Sequence, residues 1–517
     1  MHNLLRCRRG SAALATVAAL VPLIGVVALG AEAGSWYVTK QHAQNAADAA
    51  AISGGLRLAC SISGSSTCDT TQDYVYRGKQ FADKNKFCDP RDTSSYLCVN
   101  SPPTGTSQTV QIDQPTGDRV RAIVSQHQPV SGLTKLLGLF PGGIDIGAQA
   151  IAKVQQPKEL CGLGLGRYSG SGSPTSALSF AGSAALSGNG CAFQSDNTVK
   201  YASAPSFNGT GWAVYASNGC VNSGTCDPGV PYNYYSPPAA NPLARLDTVS
   251  FNTVTMSTPG GSGNPCTGGS GNANVGGSDP PCIVAPNTST TSYKGNLNVT
   301  SGGTATSPAG GTYFFNGSTL SVGGATINLG SGTYYFNGGN LSAGSGGTLT
   351  LGSGTYFIDG ANLSVASGGT LNLGAGTYFF RNSSISFSGT VTGTNVNIVM
   401  LGNSKLSITG GPVNLSANFN NTDYPALNGV LIADLAPNAS NLAVTINGSA
   451  GVTMALGGAM YFPNVDVTMS GNSQNANTEC SMVIANSITF GGGANYLSTK
   501  SCASGTVDTN QVVFLVQ

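Results

Sequence analysis

Between Gly311 and Phe380 one motif occurs four times: Thr312-Tyr-Phe-Phe-Asn-Gly, Thr333-Tyr-Tyr-Phe-Asn-Gly, Thr355-Tyr-Phe-Ile-Asp-Gly and Thr377-Tyr-Phe-Phe-Arg-Asn. The spacings are 21, 22 and 22 residues, a solenoid period. A unit this short cannot bury its own apolar face, so a core arises only when neighbours stack. Each copy continues with a Leu-Ser-Val-like run, a Thr-Leu-Asn-Leu-like run and Leu-Gly-Ser-Gly or Leu-Gly-Ala-Gly, which makes three short strands with glycine turns. Alternation puts Tyr334 and Phe336, Leu341 and Ala343, and Leu349 and Leu351 on the inward faces of their strands. The expected fold is mainly β, a parallel β-helix, right-handed on general strand-crossover sterics. Beyond Thr390 the period loosens, but apolar runs at 396–401, 406–408, 430–433, 459–462 and 482–485 keep the strand rhythm.

The same alternation points Phe314, Tyr335, Phe357 and Phe379 outward, one above another at the coil spacing of roughly 4.8 Å. An outward aromatic column has two readings: a platform for a surface glycan or another chain, or a face covered by a neighbouring segment. The Gly/Pro-rich stretch 220–286 is the chain available to cover it. Asn328, Thr350 and Asn372 are positioned for an outer amide and hydroxyl ladder.

Charge is scarce and uneven. Residues 1–160 hold 26 charged side chains and residues 161–517 only 17, so the composition breaks near Cys161. A net charge of +1 gives no basic stripe to displace counterions, and no nucleic-acid partner is expected. The three histidines, His2, His42 and His127, lie far apart in sequence, and neither CxxC pairs nor calcium-binding GGxGxD repeats occur. No cofactor or metal is expected. Parallel β-helices often carry polysaccharide lyases and hydrolases, which work with clustered carboxylates. From residue 290 onward the acids are Asp359, Asp423, Asp434, Asp466, Glu479 and Asp508, no two in one short motif. The expectation is a protein that is not an enzyme.

At the other end, 21 uncharged residues from Ser11 to Ala31 follow Arg6, Arg8 and Arg9 and precede Glu32. That length spans a bilayer core, and the arginines assign the N-terminus to the cytoplasmic side. A cleaved signal peptide, with Ala31-Glu32-Ala33 as its cleavage site, is the alternative. Trp36 and Tyr37 suit the outer membrane-water interface. Helical signals continue to Ile52, and Gly54-Gly55 reads as the stop. Ala43, Ala46, Ala47, Ala50 and Gly54 form one small-residue face, suited to close packing against another helix or against the protein's own sheet.

Together, Arg8-Arg9-Gly10-Ser11, the apolar span, Glu32 to Tyr37, and Gln44-Asn45-Ala46-Ala47-Asp48-Ala49-Ala50-Ala51 resemble the N-terminal module of TadG-like proteins of the tight-adherence (Flp) pilus-assembly system. The resemblance implies a bacterial inner-membrane protein with one spanning helix, its bulk periplasmic or extracytoplasmic, and pilus-assembly or pilin-like proteins as partners. Prepilin processing at Gly10 would want Glu at the fifth position after it; Ala15 stands there, so no such cleavage is expected.

The remaining segments complete an outline. Residues 1–59 are the basic tip and helix. Residues 60–160 form a pilin-like α+β region, with a short helix in 70–85, strands at 120–127 and 144–154, and an apolar helical turn at 131–140. Residues 161–219 supply early coils or a cap, 220–290 a Gly/Pro/Cys-rich insertion, and 291–517 the β-helix. Twelve cysteines lie beyond the span, an even number suited to an oxidising compartment. Cys161 with Cys191, and Cys480 with Cys502, are the expected bridges, with near neighbours pairing elsewhere.

Overall fold

A computed structural model describes residues 8–63, 71–130, 135, 140, 142–155, 158–167, 176–222, 226–249, 251, 263–266, 271–287, 291–449, 452–471, 480–507, 509–510 and 513–516. The chain divides into two compact units, Met1–Pro157 with Gln511–Gln517, and Lys158–Asn510. The C-terminal residues expected to end the β-helix thus group with the N-terminal unit.

In the first unit a single helix, α1 (Arg8–Ser63), is followed by α2 (Tyr74–Lys84). Asp73 caps α2, accepting a hydrogen bond from the Tyr76 amide at 2.7 Å, which sets its start later than the expected residue 70. Strands β1 (Ser107–Asp113), β2 (Arg119–Gln128) and β3 (Ile144–Val154) form an antiparallel sheet. Val513–Val516 pairs antiparallel with Ile151–Val154 of β3 and completes it. The helical turn expected at 131–140 lies almost wholly outside the described residues.

Gly54-Gly55 does not stop α1, which runs on to Ser63. The two glycines serve packing instead. A Cβ on Gly54 would fall 2.9 Å from Val120 Cγ1, and one on Gly55 would fall 2.7 Å from Val513 Cγ1. Helix and sheet approach so closely there that even a methyl group would force Val120 and Val513 to shift.

The second unit is a parallel β-solenoid of about 13 turns. The four motif copies stack in register, Thr312 beside Thr333, Thr355 and Thr377. Tyr313, Tyr334, Tyr356 and Tyr378 form an inner stack with ring centroids 4.5, 4.8 and 4.6 Å apart. A buried hydroxyl must find an acceptor. Tyr334, Tyr356 and Tyr378 donate to the carbonyls of Gly330, Gly352 and Gly374, each four residues back, at 2.6, 2.7 and 2.8 Å. Burial raises the phenol pKa of Tyr356 and Tyr378, so these rings remain neutral donors. Gly354 has φ +145° and lies where a Cβ would be 1.9 Å from Gly332 O. The outer ladder runs through Thr350, Asn372 and Thr392: Asn372 Nδ2 donates to Thr350 Oγ1 at 3.3 Å and Thr392 Oγ1 to Asn372 Oδ1 at 2.8 Å.

Coil order departs from chain order. Strands Lys158–Gly164 and Leu178–Ala181, expected to be early coils or a cap, stack on Ser481–Gly491, near the end of the chain. On them lie Ala192–Ser195 and Val199–Tyr201, then Ala213–Ala216 and Cys220–Asn222, then Tyr232–Asn233. The next strand in sequence, Ala273–Val275, belongs to the opposite terminal turn, against Leu297–Thr300. The described residues between these two strands lie against successive coils, and their contacts record the route. Ser236 touches Gln194, Asn241 and Asp247 touch Tyr461, Phe251 touches Phe379, and Gly263 bridges to Tyr293. Thr509 and Asn510 pair antiparallel with Glu159 and Lys158, so the solenoid's first and last residues are neighbours.

Disulfides occur where the repeat lapses. Cys161–Cys191 and Cys480–Cys502 flank the join between early and late coils. Cys220–Cys226 and Cys266–Cys282 staple the two terminal turns. Cys88–Cys98 closes a loop of the first unit, and Cys60 is also disulfide-bonded.

Candidate functional site

The features singled out by sequence fall on two surfaces, α1 and the outer aromatic column.

Along α1 the environment changes with position. Val17, Leu20, Leu23, Ile24, Val26, Val27 and Leu29 are all exposed, on a helix long and apolar enough to cross a membrane. Twenty-one residues at 1.5 Å each cover about 32 Å, the thickness of a bilayer core. Trp36 packs edge-on against Phe140 with centroids 6.2 Å apart, and Tyr37 is open to solvent. Arg6 lies outside the described residues, as do the side chains of Arg8 and Arg9. Farther on, Ala43, Ala46, Ala47, Ala50 and Gly54 are buried in a core shared with Val120, Ala122, Val124, Ala150 and Ala152 of the sheet. The small-residue face is therefore filled by the protein's own sheet and is not open to another helix. Methyl-sized side chains are what allow β2 and β3 to lie so close to the helix.

The outer column exists and continues farther than the motif. Phe314, Tyr335, Phe357 and Phe379 stack at 4.8, 4.8 and 5.4 Å. Strand register extends the line through Val399, Ala433 and Tyr461. A bare platform is not what results. Phe357 and Phe379 are buried, and only Phe314 and Tyr335 remain half-exposed. Phe251, on the returning stretch, lies 5.8 Å from Phe379, and Tyr424 meets the same ring edge-on at 4.9 Å. The platform reading of Phe357 and Phe379 is corrected accordingly: both rings are buried, Phe379 beneath Phe251 and Tyr424, and burial removes them from water.

Polar contacts hold that strap. Asp247 accepts from Tyr461 Oη at 2.6 Å and pairs with Arg167 at 2.8 Å, while Asn241 donates to Tyr461 Oη at 2.9 Å. Burial, followed by the hydrogen bond to Asp247, raises the Tyr461 pKa and keeps it a donor. A cavity of about 440 Å³ lies beside these groups, lined by Arg167, Asp247, Val249, Phe251, Leu435 and Asn464. Neither Phe251 nor Arg167 was singled out by sequence, because both lie outside the repeat and their partners are more than 70 residues away.

The solenoid's carboxylates are dispersed. Asp359 is paired with Arg381, and Asp466 accepts from Asn486 and Ser487 at 2.8 and 2.7 Å. Asp434 is fully buried, with Oδ1 accepting from the Ala436 amide at 3.0 Å. Glu479 and Asp508 lie outside the described residues. Among the described residues no three His, Cys, Asp or Glu side chains cluster as metal ligands would.

Residues 10–57 match the family model described as putative Flp pilus-assembly TadE/G-like. The chain carries a TadE/G-like module. That module spans the exposed apolar run and the buried alanine face of α1, and it stops short of α2, the sheet and the solenoid. No curated protein and no solved structure matches the chain. The match therefore relates α1 to the TadE/G-like model, while the solenoid is characterised by its own geometry.

Proposed function

We propose that the protein is a membrane-anchored structural component of a Flp-type pilus-assembly apparatus, or of the envelope around it, and that it works through protein contacts. In this reading α1 is held in the inner membrane by residues 11–31, with its arginine-rich tip in the cytoplasm. The sheet unit and the solenoid occupy the extracytoplasmic side, where disulfides such as Cys88–Cys98 and Cys161–Cys191 are stable. The observation that carries the reading is the division of one unbroken helix, within the TadE/G-like match, into an exposed apolar half and an alanine face seated on a sheet. A signal peptide removed after Ala33 would forfeit that continuity. The solenoid is read as non-catalytic: Asp359 and Asp466 are engaged by neighbours and Asp434 is sealed in the core.

Two measurements test this. Deleting the coding region should abolish or reduce surface pili, scored by electron microscopy, and fractionation should recover the full-length chain with the inner membrane. Normal pili in the deletion strain, or a soluble chain trimmed after Ala33, would refute it.

A further inference from the structure

The sheet unit presents a fixed apolar projection at one edge and, at the other, a groove whose lining includes one carboxylate, Asp48. The projection is the loop after α2. Its backbone is fixed by several independent constraints. Buried Asp83 accepts from Tyr96 Oη at 2.9 Å and from the amides of Val99 and Asn100 at 2.8 and 3.0 Å. Those hydrogen bonds hold the Asp83 carboxyl below its ordinary pKa although burial, the largest single influence, works the other way. The Cys88–Cys98 bridge closes the loop, and the Cys88 amide donates to Gln108 of β1 at 3.0 Å. Yet this fixed loop holds Leu97 68% and Val99 81% exposed. Beside them Lys86 is exposed, its Nζ donating to Asn100 Oδ1 at 2.8 Å. Leu97 and Val99 are thus two aliphatic side chains held in water on a fixed backbone, with a lysine beside them.

The groove lies at the opposite edge of the sheet, whose order is β1, β2, β3, Val513–Val516. It encloses about 310 Å³ and is lined by Gln44 and Asp48 of α1, Ala150 and Ile151 of β3, and Leu515 and Val516. Leu515 is 39% exposed there. Gln44 donates to Asp48 at 2.8 Å, which fixes the carboxylate at the rim.

We propose that the occupant of this groove is Leu97 and Val99 of a second copy of this chain. Size and charge both favour it: the volume suits two aliphatic side chains, and Lys86 beside the projection complements Asp48 at the groove. Because projection and groove occupy opposite edges, the contact is heterologous, and each copy added leaves one of each free for the next. Fixing the loop beforehand lowers the ordering cost of docking. The inference deepens the assembly reading and rests on it for its purpose.

The test uses the full-length protein in lipid nanodiscs and detergent, with sedimentation velocity over a concentration series. The wild type should associate in a concentration-dependent manner. Leu97→Asp with Val99→Asp should weaken association on the order of tenfold or more, with circular dichroism unchanged because both side chains are exposed. Asp48→Lys should weaken it as well, and Asp48→Lys combined with Lys86→Glu should recover it. A wild type that stays monomeric, equal association by the Leu97/Val99 variant, or failure of the charge exchange to recover association overturns the proposal, as does association that requires a different protein. A monomeric protein whose deletion still abolishes pili would sink only the docking; normal pili in the deletion strain would sink only the assembly reading.

Discussion

Replacing Asp434 by Asn should remove a pH dependence built into the solenoid. Asp434 ends the strand Val430–Asp434, beside Met400 of the adjacent coil, and burial pushes its carboxyl from 3.8 up to about 7. Its Oδ2 has no hydrogen-bond partner among the described residues. The folded chain thus keeps a proton that the unfolded chain releases near pH 4. As pH rises from about 4 to about 7 the folded state loses stability relative to the unfolded chain, and above that range the loss is complete. A displacement from 3.8 to about 7, at ~1.4 kcal/mol per pH unit, amounts to about 4 kcal/mol. In Asp434→Asn the neutral amide abolishes that slope but leaves an N–H donor to satisfy, at a cost of roughly 1–3 kcal/mol. The variant should therefore be more stable than wild type by about 1–3 kcal/mol at pH 8 and no more stable at pH 4. The assay is urea unfolding of the full chain at pH 4 to 8, followed by tryptophan fluorescence in a Trp36→Phe background. Trp212, buried in the solenoid and stacked on Phe193 at 5.9 Å, then reports alone. A wild-type midpoint constant over this range, or the same slope in the variant, refutes the assignment.

Three further outcomes are expected. Gly354→Ala places a methyl group 1.9 Å from Gly332 O at φ +145°, and should cost about 3 kcal/mol or more in the same titration. Cys266→Ser with Cys282→Ser should remove about 2–4 kcal/mol from one terminal turn, so that amide exchange quickens in residues 263–306 while 311–381 keep their protection. Removing residues 511–517 strips the strand paired with Ile151–Val154; the transition reported by Trp36 in a Trp212→Phe background should fall, and that reported by Trp212 should not move.

The repeat was legible because every coil meets a copy of itself. Period and alternation sufficed to orient Tyr334, Phe336, Leu349 and Leu351 inward, and all four are buried. The outward direction of Phe357 and Phe379 followed from the same alternation, but their cover did not. Phe251 lies in a non-repeating stretch more than 100 residues from the ring it touches, and no periodicity links the two. Gly54-Gly55 was misread because local propensity treats glycine as a helix end, whereas tertiary packing against Val120 and Val513 required the absence of a side chain. The stacking of Leu178–Ala181 on Ser481–Gly491 was equally hidden, since backbone ladders carry no side-chain code for which coil comes next.

The meeting of Lys158 with Asn510 makes the solenoid a cassette. A domain whose two ends leave side by side can be lifted from its host or set into another loop without stretching either chain. It also frees coil number from attachment. One more 22-residue repeat within 311–381 would push the far terminal turn outward by ~4.8 Å while both ends stay where they are. The strap would then need only one or two extra extended residues to keep pace. Length added within 311–381 therefore appears at the far end and leaves the attachment untouched.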